Sequence, residues 1–104
     1  MVLALSFASN VFAADRFSRI MGDPVLDSVI RSMENKYSVT CYRPETSEDI
    51  QWRCLNGPQC GYVFTVYCPN IVNGQKLGGW NLKVEGFDTG KTNDISSIKM
   101  TGIR

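Results

Sequence analysis

The apolar positions follow one period up to about residue 35 and a different one after it. From Asp23 to about Asn35, Val25, Leu26, Val29, Ile30 and Met33 recur every three or four positions, with Asp27, Ser28, Arg31, Ser32 and Glu34 between them. That spacing gathers the apolar side chains into one stripe of a helix. Asp23 suits the N-cap, because its carboxylate can accept from the unpaired N–H groups of the first turn. Pro24 follows at the first helical position, where a missing N–H costs nothing. Asn35 is the expected left-handed residue at the far end. Asp27 and Arg31, one turn apart, are expected to pair on the solvent side.

From Tyr37 onward the period is two. Tyr37, Val39 and Cys41 alternate with Ser38, Thr40 and Tyr42, and Ile50, Trp52 and Cys54 alternate with Gln51, Arg53 and Leu55. Tyr62, Phe64, Val66 and Cys68 share one side of a third run, with Val63, Thr65 and Tyr67 on the other. Trp80, Leu82 and Val84 alternate with Asn81, Lys83 and Glu85, and a last short run carries Ile98 and Met100 against Lys99 and Thr101. Each run reads as a strand. Polar stretches over 43–49, 70–79 and 86–93, and a turn at Asn56-Gly57-Pro58-Gln59, separate them.

One helix followed by closely connected strands is an α+β pattern. The expected fold is an N-terminal amphipathic helix packed on one face of a four- to five-stranded antiparallel meander, disulfide-stabilised. Its inner face would hold Tyr37, Val39, Ile50, Trp52, Phe64, Val66, Trp80, Leu82 and Val84. The helix stripe is read as covering this face rather than binding a partner, since most amphipathic helices cover their own core.

The N-terminus changes the picture. Met1 to Phe12 is uncharged and mostly apolar or small, and Ala13-Ala14-Asp15 follows. Val11 and Ala13 suit positions −3 and −1 of a signal-peptidase cut, so residues 1–13 are expected to be a signal peptide. No Lys or Arg follows Met1, and the competing reading is an apolar first element of the fold. Residues 14–22 would then be a flexible arm and 23–104 a single α+β domain. The apolar run is too short for a bilayer, which takes ~20 residues. No stable membrane insertion is expected once the signal is removed, and the localisation implied is periplasmic or secreted.

Composition narrows the function. The 104 residues are 43% hydrophobic and 20% charged, which suits one folded domain and not a disordered chain. A formal net charge of +1 gives no overall pull toward nucleic acid. The chain has no histidine, which removes the commonest general base and the commonest zinc ligand.

Cys41, Cys54, Cys60 and Cys68 are spaced C-x12-C-x5-C-x7-C. An even count in a short exported chain reads as disulfides. Three pairings are open; the strand registers favour the nested one, with Cys54–Cys60 across the turn and Cys41–Cys68 outside it. No close C-x-x-C pair is present to suggest a redox site or a zinc knuckle, although a cytosolic zinc module held by the four cysteines stays open as an alternative. Glu45, Glu48 and Asp49, near Arg43 and Arg53, resemble an acid–base set for a small secreted hydrolase or nuclease, but nothing apolar beside them would raise a carboxylate pKa.

The outward sheet face, with Thr40, Tyr42, Gln51, Arg53, Thr65, Tyr67, Asn81, Lys83 and Glu85, is the remaining candidate. Tyr and Arg combine apolar area with hydrogen bonding and are favoured at interfaces. The leading expectation is a small exported, non-enzymatic inhibitor, adaptor or effector that binds a protein or glycan through Tyr42, Arg53 and Tyr67 or through its loops, with no cofactor or metal.

Overall fold

The computed structural model describes residues 14–54 and 58–103. The expected signal segment and the Asn56-Gly57 half of the first turn lie outside them. Helix α1 is described over residues 14–21, and α2 runs Pro24–Tyr37. A 3-10 turn at Ser47–Asp49 leads into four strands: β1 Gln51–Cys54, β2 Cys60–Val72, β3 Gln75–Asp88 and β4 Asn93–Ile103. They form one antiparallel sheet in the order β1-β2-β3-β4, which is a meander.

The start of α2 follows from its capping chemistry. Asp23 Oδ1 accepts from the Val25 N–H at 2.8 Å, with Pro24 in the first turn. Leu26, Ile30 and Met33 are buried, and Val29 packs at their edge. Val25, expected on the same stripe, is 57% exposed. At the first turn, the stripe has already rotated past it. The left-handed residue is Ser38 (φ 53°, ψ 44°) and not Asn35, so α2 takes in Tyr37.

That extension removes most of the expected first strand. Only Tyr42 pairs with β2, in a single bridge to Tyr67. Tyr37 still reaches the core, but from the helix: its ring lies 4.1 Å from that of Trp80.

Alternation decides the rest. Tyr62, Phe64, Val66 and Cys68 of β2 and Leu82 and Val84 of β3 form one core cluster with Leu26, Ile30 and Met33. Phe64 pairs with Val84, and Val66 with Leu82. Each such fully buried side chain contributes ~1.5–3 kcal/mol relative to exposure.

Two further differences from the sequence expectation are findings. The stretch 70–79 is not a loop; β2 and β3 run on to a two-residue turn in which Asn73 (φ 51°) and Gly74 (φ 80°) both take positive φ. This is the geometry whose twist matches paired strands, and Asn-Gly is its preferred sequence. Residues 14–21, expected as a flexible arm, are helical here, with Ile20 buried in the core.

The disulfides are Cys41–Cys68 and Cys54–Cys60, the pairing that the strand registers favour. Cys54 and Cys60 are direct cross-strand partners, and Cys41 lies one residue before the Tyr42–Tyr67 bridge. Both bonds therefore tie β2 to the chain segments along its outer edge. No described cysteine is free.

Candidate functional site

The outward face is laid out by register. Along it run the rows Arg53–Gly61–Phe87–Asp94, Gln51–Val63–Glu85–Ser97, Thr65–Lys83–Lys99 and Tyr42–Tyr67–Asn81–Thr101. Side chains paired across antiparallel strands share a face, so these residues all project away from the helices.

The three expected binding residues do not converge. Tyr42 and Tyr67 are neighbours, with Tyr42 54% exposed and the Lys76 ammonium 5.6 Å from the Tyr67 ring. Arg53 stands beside Gly61, six positions away along β2, roughly 20 Å at ~3.3 Å per residue. The outward face therefore carries two separate candidate subsites. One is a tyrosine pair with a lysine over it. The other is a groove around Arg53.

The groove has a physical cause. Gly61 presents no side chain between Arg53 and Phe87, and a Cβ there would come 3.3 Å from the Phe87 ring. The gap opens a cavity of about 530 Å³ lined by Gln51, Arg53, Gly61, Val63, Glu85 and Phe87. Phe87 remains 49% exposed along it. Alternation alone assigns Arg53 to this face. It does not show that Phe87 belongs there, because the pattern of alternation in β3 stops at Glu85.

The face is cationic. Arg53, Lys76, Lys83 and Lys99 stand against Glu85 and Asp94, and only Lys83 is engaged with one of those acids, at 3.3 Å from Glu85. Lys83 and Lys99 are direct cross-strand neighbours of like charge.

Of the loop acids, Asp49 is held locally. Asp49 Oδ2 accepts from the Glu45 and Thr46 amides and from the Thr46 hydroxyl, capping the 3-10 turn. Glu45 and Glu48 are exposed. Arg43 turns toward α2, donating to Asp27 at 2.7 Å and to the Met21 carbonyl. The Arg43 hydrogen bond, assisted by Arg31, holds the Asp27 carboxyl below its usual range. Among the described residues, no cluster of His, Cys, Asp and Glu could hold a metal.

A buried charged cluster was not legible in the sequence. Asp88, at the end of β3, is 0% exposed. Arg16 donates to its Oδ2 at 2.7 Å and to its backbone carbonyl at 3.0 Å. Arg19 donates to both carboxylate oxygens, at 2.6 and 2.9 Å, and the Gly90 amide donates at 3.0 Å. Arg16 also donates to the Pro58 carbonyl. Burial pushes the Asp88 carboxyl up, but the Arg19 and Gly90 hydrogen bonds and the charges of Arg19 and Arg16 outweigh it, so it titrates below the usual range. The available signal was Arg16 and Arg19 three apart, which shares a face only if the segment is helical.

A second polar chain lies beside it. The Tyr62 hydroxyl donates to Asn93 at 2.6 Å, and Asn93 donates to the second oxygen of the Asp23 cap at 2.9 Å. Sheet and helix N-terminus are thus joined through one asparagine.

Comparison of the chain with protein-family models, with curated proteins and with solved structures gave no match.

Proposed function

We propose that this is a small exported, non-enzymatic binding protein that engages a protein or glycan through its outward sheet face. The observation that carries the reading is the groove of about 530 Å³ between Arg53 and Phe87. A half-exposed aromatic ring beside an arginine that makes no ion pair among the described residues offers stacking and a charge-assisted hydrogen bond together. The surplus of lysine and arginine on this face favours a partner that carries an anionic group.

Export, to the periplasm or outside the cell, is supported by two disulfides, which persist in oxidising compartments. No helix among the described residues is long and apolar enough to cross a membrane.

The test uses immobilised protein against a glycan array and against extracellular extract of its source. Arg53→Glu and Phe87→Ser are compared with wild type, with circular dichroism to check the fold. Loss of the same ligand by both variants supports the groove. Retention of every ligand by both variants removes this reading.

A further inference from the structure

β4 is the second edge of the sheet. Among the described residues no strand lies along its outer side, although it extends from Asn93 to Ile103. Exposed edges of this length are usually blunted by several charges, by proline, by bulges or by covering elements. β4 has no proline, a single bulge near its N-terminal end, and only Asp94 and Lys99 as charges. Neither makes an ion pair among the described residues, and Lys99 faces Lys83 instead.

We infer that β4 is a self-complementary docking strand, and that its occupant is β4 of a second copy of this chain, paired antiparallel about a two-fold axis between Ser96 and Ser97. In that register Asp94 of each copy stands opposite Lys99 of the other, and Ile95 stands opposite Ile98. A two-fold interface repeats each contact, so two Asp–Lys pairs and two Ile–Ile pairs form at once.

The strand's own irregularity makes the register workable. Asp94 and Lys99 are five positions apart, so in a regular strand they would project from opposite faces. The pairing with β3 slips by one residue here: Glu85 faces Ser97, while Gly86 faces Ile95, leaving Ser96 as an extra residue. The bulge returns Asp94 to the outward face, opposite Phe87, where Lys99 also lies opposite Lys83. It puts Ile95 and Ile98 together on the inner face, opposite Gly86 and Val84. Faces, charges and apolar residues therefore match in the same register. Asp94 of the second copy also relieves the Lys83–Lys99 repulsion.

The product is a continuous eight-stranded sheet, twice the four strands of one chain. Residues that pair across it share a face, so the two Arg53–Phe87 grooves point the same way, and a repetitive partner could be held by both.

Sedimentation velocity of the full chain over a concentration series tests this. Wild type is expected to show a concentration-dependent dimer that weakens with salt. Lys99→Asp and Asp94→Lys each place like charges opposite one another twice, and each is expected to weaken dimerisation by about tenfold or more. The double variant Asp94→Lys/Lys99→Asp restores opposite charges and is expected to recover the dimer, while circular dichroism shows all three folded. A wild-type protein that stays monomeric throughout overturns the inference. So does a dimer that neither single variant weakens, or a double variant that does not recover.

Discussion

Asp88→Asn is the substitution that most sharply separates this fold from one without the N-terminal helix. The change keeps the side-chain volume and removes the charge. Asp88 is fully buried, and its carboxylate receives three hydrogen bonds from Arg16 and Arg19, of 2.6–2.9 Å. Removing one member of a buried ion pair costs ~3–5 kcal/mol when the other charge is stranded. Here the arginines are not fully stranded: their side chains are 13% and 26% exposed and have a path to water. The expected cost is therefore lower, about 2–3 kcal/mol. For a domain of this size that lowers Tm by roughly 10–20 °C.

The assay is denaturant and thermal unfolding with both disulfides intact, plus hydrogen exchange. Residues 14–21 should lose protection first, because Asp88 is what their arginines hold. The pH dependence has a definite sign. A carboxyl depressed in the folded state contributes stability that is present above its unfolded pKa of about 4 and is lost as pH falls through the folded value. The gap between wild type and Asp88→Asn should therefore be constant near neutrality and narrow below about pH 4. A loss under about 1 kcal/mol, or a gap that does not narrow in acid, would mean that Asp88 is not a buried carboxylate held by Arg16 and Arg19.

Other outcomes follow from the same structure. Burial pushes the Tyr62 hydroxyl up to about 12, so stability should fall from about pH 10 and continue to fall to about pH 12. Denaturant midpoints across that range should show the loss in wild type and not in Tyr62→Phe, which should itself cost about 1 kcal/mol at neutral pH. Gly86→Ala should destabilise by about 1–3 kcal/mol in chemical unfolding, because a Cβ there would collide with the Tyr62 hydroxyl and come within 2.6 Å of the Asp94 carbonyl. Removing Cys41–Cys68 should cost more than removing Cys54–Cys60, since the residues bridged are 27 and 6 apart. Loop entropy alone gives about 3.5 against about 2 kcal/mol, and paired serine variants measured by urea unfolding would expose a reversed order.

Much of this was legible because it is local. Asp23-Pro24 announced α2, and alternation assigned Phe64, Val66, Leu82 and Val84 inward and Tyr42, Arg53 and Tyr67 outward. The same alternation over Tyr37–Cys41 misled, because Ser38 can take the left-handed conformation and a helix end can run on to it. Asn73-Gly74 marked a turn, but the polar and small residues beside it concealed that pairing continues up to it. Backbone hydrogen bonding holds that hairpin, and the exposed Ile71, Val72 and Leu77 there contribute nothing to an inner face. Asp88 was the least visible. Its partners are 69 and 72 positions away, and nothing in Asp88-Thr89-Gly90 distinguishes a buried carboxylate from a solvated turn. The groove needed β3 to reach Phe87 and needed Gly61 to lie opposite it, a pairing set by register and not by either residue alone.

A backbone amide NMR titration with a ligand recovered by capture would show whether the outward face is the working surface. Shifts concentrated at Gln51, Arg53, Gly61, Val63, Glu85 and Phe87, with α2 unperturbed, are the expected result. Shifts centred on the exposed side of α2, around Arg31 and Asn35, with the groove silent, would place binding elsewhere.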